Sequence, residues 1–195
     1  AKFANAKVEN VSMRGTKTSE NSLDGLDASE IDIGDAPNVI AFDEMAPEVK
    51  DKLESHKKWI STNGAEGERG SLDGMDLSYH DLSGLDLSGI QMRGGKLRGA
   101  QLKACSLILA DLGGTDIFDA NLCEAVIIGT NLAGANLKRC NLANAEMGEI
   151  NIVSKDGTDT GRSHRTNFHE ANLVRANTQG CNLDGCVLEN AIRDN

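Results

Sequence analysis

Bulky apolar residues occupy every fifth position of this chain from Leu72 to Ile152 without a single exception. From Gly95 onward most units carry a small residue two positions earlier, such as Ala110 or Cys140, and a polar residue in between. A strand repeats every two residues and a helix every 3.6, so a strict period of five fits neither element alone. The pattern predicts a unit that turns a corner every five residues and returns one side chain to a common core.

The same period is looser or interrupted elsewhere, and these changes divide the chain. A short N-terminal repeat block covers 1–35, a linker without the period covers 36–70, and the main repeat block covers 71–195. Within the main block a Gly-rich, charged insertion at about 153–165 precedes the return of the period at Phe168. We expect this insertion to project from the body.

The linker contains one predicted amphipathic helix, at about 47–62. Pro47 suits the first position of a helix, and Asn63 with Gly64 provides a stop. The helix carries one apolar stripe, formed by Val49, Leu53, His56 and Ile60. We expect it to cap the open end of the following repeats, over Leu72 and Leu77.

The repeat units resemble the pentapeptide repeat family, whose motif is Ala, then Asp or Asn, then Leu and two free residues. Units 110–114, 135–139 and 171–175 match it. The resemblance implies an all-β solenoid, a right-handed quadrilateral parallel β-helix with four units per coil. Equivalent residues of successive coils would then stack at roughly 4.8 Å. One predicted internal column is Leu72, Met92, Leu112, Leu132 and Ile152.

Composition restricts the possible partners and the location. The net charge of −10 disfavours binding to nucleic acid or anionic membranes, because both reward Lys and Arg. No apolar run approaches a membrane span, and we expect no signal peptide. Four of the five cysteines occupy the small core position, which indicates reduced packing residues and a cytoplasmic protein. Because the chain begins inside a repeat, we expect it to be the C-terminal part of a longer protein, and the resemblance implies a bacterial one.

Stacking of successive coils predicts an apolar patch on the outside of the solenoid. Ile108 and Ile128 would be neighbours there, with Leu109 and Val126 beside them. Contiguous exposed apolar patches are rare on monomers. The patch is therefore either a site for a protein partner or a homodimer, or a surface half-covered by local deformation or a neighbouring loop.

A second predicted surface is a column of basic and aromatic residues, formed by Lys96, Arg98, Phe118, Lys138 and Arg139. An aromatic ring between cations could bind a flat or anionic group by stacking and cation–π contact. The alternative is a solvated column in which the long neighbours shield Phe118.

The insertion supplies a third candidate surface through Arg162, His164 and Arg165, which either contact a partner or are unconstrained. Its Asp-Gly-Thr-Asp-Thr-Gly run lacks a full cation ligand set and the context of a phosphate loop. The four histidines show no spacing to cysteine or carboxylate typical of a metal site or a catalytic triad. We therefore predict no catalytic residue, no metal and no cofactor.

The sequence thus predicts a noncatalytic interaction or scaffold module that binds an unidentified protein. We expect no membrane partner and no direct nucleic-acid binding. The alternative, which the resemblance supplies, is a protein that mimics duplex DNA and binds a topoisomerase such as gyrase. The overall acidity favours this alternative, whereas the basic column opposes it.

Overall fold

The structure, a computed structural model, describes residues 39–154 and 156–194. The predicted N-terminal block, 1–35, lies outside these residues. Ile40–Asn195 form one of the chain's two compact units.

The repeats form a parallel β-helix in which each coil pairs with the next through equivalent residues. From the first coil to the fourth, successive coils are joined by single-residue bridges at four places rather than by long strands. The first coil pairs with the second through Ser71↔Gln91, Asp76↔Lys96, Asp81↔Gln101 and Asp86↔Ser106. Residues 20 positions apart therefore stack on one another in these coils.

Each unit changes direction in a four-residue turn directly after its core residue. In the unit of Leu107, the Ala110 N–H closes the turn on the Leu107 carbonyl at 2.9 Å, and Leu109 between them has a φ of 57°. Such a turn needs a positive φ at its third residue. The turn leaves Leu107 pointing inward at 1% exposure, which explains the period of five.

The polar residue before each core residue has two tasks, as Asn131 shows. Its Oδ1 accepts the Ala133 N–H at 3.2 Å, which fixes the start of the turn. Its Nδ2 donates to Asp111 Oδ1 in the coil before, at 2.8 Å. Asn167 in the coil after then donates to Asn131 Oδ1 at 3.2 Å. A continuous side-chain ladder therefore runs beside the backbone bridges.

Buried hydroxyl and thiol groups at the small core position bond to the coil before. Thr130 Oγ1 donates to the Leu107 carbonyl at 2.6 Å, and Cys140 Sγ donates to the Ile117 carbonyl at 2.8 Å. Because a buried polar group is costly only when it lacks a partner, threonine and cysteine can replace alanine here.

The structure corrects the predicted position of Ile152. Asn131 pairs with Asn167 and not with Asn151, so Phe168 instead of Ile152 stacks on Leu132. The extra residues form an antiparallel hairpin of β1, Glu149–Val153, and β2, Asp159–Arg165. The excursion therefore begins at Glu149 rather than at the predicted Val153, because Ile152 falls on the five-residue period while lying in β1.

One helix, α1, spans Pro47–Ser61, where the sequence predicted about 47–62. A short 3₁₀ turn, Phe42–Glu44, precedes it. Pro47 lies in its first turn, and the Gly64 N–H donates to the Trp59 carbonyl just beyond its end at 2.8 Å. Val49 and Leu53 belong to the same buried cluster as Leu72 and Leu77.

The helix is fixed to the first coil by polar contacts as well. Lys52 Nζ donates to the Ser71 carbonyl at 3.1 Å, and the Gly70 N–H donates to His56 Nδ1 at 3.0 Å. Ile90, which takes the place of a small residue, is fully buried close to Gly70. Ile90 thus fills part of the space beneath the helix.

The tight core predicts a cost for enlarging a small residue. Ala120→Leu should lower the free energy of unfolding by about 1 to 3 kcal/mol, because Ala120 is 1% exposed and the added atoms overpack the coil. Ala143→Leu is the matched control, since Ala143 lies at a partly exposed turn position. Urea denaturation would measure both, and equal stability of the two variants would contradict this account of the core.

His56 predicts that the stability of the cap depends on pH. The side chain is 1% exposed, and burial lowers its pKa below the usual value, although the nearby Asp86 carboxylate opposes this shift. As the pH falls below about 6.5, the unfolded chain therefore binds more protons than the folded protein. The free energy of unfolding decreases over that range. Protonation also removes the acceptor of the Gly70 N–H.

Thermal unfolding between about pH 7.5 and 5.5 would test this prediction, with His56→Asn as the control. Asparagine keeps an acceptor near the Nδ1 position but does not titrate. The wild type should lose more stability than the variant on acidification, and parallel pH profiles would rule out His56 as the cause.

Candidate interaction surfaces

The predicted basic and aromatic column exists, but its ring is covered. Phe118 is 1% exposed. The Arg98 guanidinium carbon lies 4.7 Å from the ring centroid and that of Arg139 lies 5.5 Å from it. Both cations therefore pack on the ring by cation–π contact, and no flat ligand can stack on it without displacing them.

The cations of this column are also paired with carboxylates. Arg98 Nη1 lies 3.0 Å from Asp116 Oδ2, and Lys96 Nζ lies 3.7 Å from Asp76 Oδ2. Arg139 Nε lies 3.3 Å from Asp119 Oδ1, whereas Lys138 is half-buried beside it. Three of the four cations of the column are thus neutralised within the solenoid wall.

Tyr79 belongs to the same surface, although the sequence analysis did not predict it there. Its ring stands over Gly99, where an added Cβ would lie 2.6 Å from a ring carbon. Burial raises the Tyr79 pKa. The signal was a glycine one coil after an aromatic residue, since only glycine leaves room for the ring.

The four residues of the predicted apolar patch, Ile108, Leu109, Val126 and Ile128, are all half-buried. The hairpin lies against this patch at Gly129. A Cβ on Gly129 would lie 2.8 Å from Ile150 Cγ2, 3.0 Å from Leu109 Cδ2 and 3.4 Å from His164 Cβ. Ile150 and His164 of the hairpin therefore cover one side of the patch.

The two strands of the hairpin have different exposure. In β1 burial alternates, with Ile150 and Ile152 half-buried and their neighbours exposed. All seven residues of β2 are exposed. Arg162 pairs across the hairpin with Ile152, and His164 with Ile150, while Val153 is 58% exposed. The hairpin thus presents a polar, basic strand outward from an apolar base.

Polar contacts within the hairpin fix its shape. Arg165 Nε lies 3.4 Å from Glu149 Oε2, and the Ser163 hydroxyl donates to Glu149 Oε1. These two contacts lower the Glu149 pKa, with the Ser163 hydrogen bond as the larger cause. Arg165 is therefore engaged within the hairpin.

The aspartates of the insertion are used in its turns. Asp156 accepts hydrogen bonds from the Ser154 hydroxyl and the Thr158 N–H, which lower its pKa to about 2. Asp159 Oδ1 accepts the Gly161 N–H at 2.9 Å. This run therefore has a structural task that needs no bound cation.

The thiols of the core are poor nucleophiles. Burial raises the pKa of Cys105 to about 12 and raises that of the buried Cys140 as well, whereas the thiolate is the reactive form. All five cysteines are free.

In 39–154 and 156–194, no group of three or more His, Cys, Asp or Glu side chains could hold a metal ion. Over the same ranges no helix has the length and apolarity to cross a membrane.

Comparison with known proteins adds to this geometry. The family model for pentapeptide repeats matches eight copies, over 86–122, 115–152 and 164–192. No curated protein sequence matches the chain.

Several solved structures are similar to the chain, with low TM-scores. HetL, a pentapeptide repeat protein involved in heterocyst differentiation regulation from the cyanobacterium Nostoc sp. strain PCC 7120, is 20% identical; the match covers 64% of this chain and 68% of HetL, with a TM-score of 0.33. QnrB1, a plasmid-mediated fluoroquinolone resistance protein, is 16% identical over 69% of this chain and 68% of its own, with a TM-score of 0.35. The Nostoc PCC 7120 protein alr5209 is 37% identical over 40% of this chain and 65% of its own, with a TM-score of 0.30.

The assignment to a family rests on the matched repeats and not on these superpositions. The matched copies cover the coils whose equivalent residues pair with one another. This chain belongs to the pentapeptide repeat family.

Proposed function

We propose that this chain is a noncatalytic protein-interaction module, a right-handed, four-sided β-helix that presents the hairpin 149–165 to a protein partner. Four bridges join each pair of successive coils from the first to the fourth, which supports the four-sided cross-section. The free cysteines agree with a cytoplasmic location. The wholly exposed strand β2, held on an apolar base, carries the proposal.

The hairpin is suited to binding because it is both exposed and fixed. Its base is anchored where Ile150 meets Gly129, and its turn is closed by Asp156. A preordered loop loses little conformational entropy when it binds. Arg162 and Val153 are exposed on it, so the hairpin offers a cation and an apolar contact to one partner.

The cover over the apolar patch changes how that patch can act. A homodimer through Ile108 and Ile128 would have to form beside the hairpin, whose Ile150 lies with Leu109 around Gly129. We therefore assign the patch to holding the hairpin and the hairpin to binding the partner.

The DNA-mimicking function receives less support from the charge pattern. On two faces, an acidic residue of the first coil has a basic residue as its neighbour in the second coil. Arg93 follows Asp73, and its backbone N–H donates to Asp73 Oδ1 at 2.7 Å. Lys96 follows Asp76 and forms an ion pair with it. A mimic of duplex DNA needs continuous rows of negative charge, and these two rows are interrupted.

The stacking geometry provides a direct test of the proposed function. Deletion of 149–164 removes the extra residues and joins Gly148 to Arg165, which places Phe168 on the five-residue period. The β-helix should still fold, although it loses the packing of Ile150 at Gly129. Arg162→Glu reverses one exposed charge of the hairpin, and Arg175→Glu is the matched control on an exposed residue of another face.

Quantitative affinity capture from a lysate of the source organism, followed by binding assays with the purified candidate, would compare these proteins. We expect one partner that binds the wild type and Arg175→Glu, binds Arg162→Glu at least about tenfold more weakly, and does not bind the deletion variant. Equal affinity of that partner for wild type and deletion variant would refute a role for the hairpin.

A further inference from the structure

A cleft of about 620 Å³ lies between α1 and the first coil. No residue of the hairpin lines it. Leu53 and Ile60 of α1 line one side, together with Phe42 of the preceding 3₁₀ turn. Leu85 and Asp86 of the first coil line the other side. This is the size range of natural ligand sites, which are mostly apolar with a few polar groups.

The neighbouring face of the first coil shows how its backbone edge can be paired. Ile40 forms a parallel bridge with His80. The Ile40 N–H donates to the Tyr79 carbonyl at 2.9 Å, and the Asp81 N–H donates to the Ile40 carbonyl at 2.9 Å. One extended residue therefore completes the coil edge on that face.

The corresponding groups one unit later lie in the cleft. They are the Gly84 carbonyl and the Asp86 N–H, and neither makes a hydrogen bond to any other residue among 39–154 and 156–194. Unpaired edges of this kind are templates for pairing with another strand. The cleft thus combines an apolar wall with a donor and an acceptor that the described residues leave unpaired. Their spacing is the one that Ile40 satisfies on the neighbouring face.

We propose that this cleft binds an extended peptide segment of a partner protein by strand addition to the first coil. The central residue of the segment donates its N–H to the Gly84 carbonyl and accepts the Asp86 N–H at its own carbonyl. Its side chain packs against the apolar wall at Phe42 and Ile60. Main-chain pairing gives affinity in such complexes, while pockets for side chains give specificity.

Charge indicates which segments fit. Two carboxylates, Glu54 and Asp86, line the cleft against one ammonium group, Lys57, and the whole chain has a net charge of −10. The preferred segment therefore has an apolar centre flanked by Lys or Arg. A neutral or acidic segment gains less, since long-range attraction and contacts at the rim both favour cations.

This inference shares with the proposed function only the premise that the β-helix binds proteins, and it concerns a different surface. The variant lacking 149–164 separates the two. It should lose the hairpin partner and bind the cleft peptide like the wild type.

The probe is an acetylated and amidated synthetic peptide, Lys-Val-Ile-Ala-Lys, based on the residues around Ile40. A second peptide carries an N-methyl group on its isoleucine and lacks only that N–H donor. Titration of isotope-labelled protein, followed by amide chemical shifts, should move the resonances of 84–87 and shift the Asp86 N–H downfield. The N-methyl peptide should bind about tenfold more weakly, as expected for loss of one buried hydrogen bond.

Two exposed rim positions test the charge preference without disturbing the core. Glu54→Lys should weaken binding of the dibasic peptide, and Lys57→Glu should strengthen it. The proposal is overturned by equal binding of the two peptides, by shifts that map outside the cleft, or by no binding at all. It is also overturned if the same amides shift with protein concentration alone, since a second copy of the chain would then be the occupant.

Discussion

The structure depends on one constraint, the pairing of each residue with its equivalent in the next coil. The core residue, the polar residue and the turn of each unit all serve this pairing. The Leu97 N–H donates to the Asp116 carbonyl of the next coil at 2.7 Å, and the Asp116 N–H donates back to the Gly95 carbonyl at 3.0 Å. A coil thus satisfies its backbone only through its neighbours, as expected for a quasi-one-dimensional fold.

The same constraint explains the two places where the pattern changes. Among the residues that the structure describes, no coil precedes the first one, and α1 contributes Val49, Leu53 and His56 to the burial at this end. At Gly148 the chain leaves the coil and returns at Thr166, whose hydroxyl donates to the Ile127 carbonyl at 2.8 Å. Thr166 makes the same bond to the coil before it as Thr130 does one coil earlier. The chain therefore re-enters the coil in the position that it would have without the hairpin.

Much of this was predictable, because the period of five and the stacking of equivalent residues are properties of local sequence. The sequence wrongly placed Ile152 in the core of the solenoid. Strand β1 carries apolar residues at 150 and 152, and position 152 also falls on the five-residue period of the core residues. The cover over Phe118 was one of two open interpretations, since the sequence gives the neighbours of a side chain but not its rotamer. The packing of Ile150 and His164 over Gly129 depends on how the hairpin folds back, which no periodicity encodes.

Stacking resumes in register after the hairpin, so that Lys138 neighbours Val174. The Arg139 N–H donates to the Val174 carbonyl at 3.0 Å, and adjacent coils lie within disulfide reach. In a Cys123→Ser background, Lys138→Cys with Val174→Cys should oxidise to an intramolecular disulfide, measured by mass spectrometry of proteolytic fragments. Cross-linking of Lys138→Cys with Thr158→Cys instead, the pair that an uninterrupted repeat would bring together, would contradict the account.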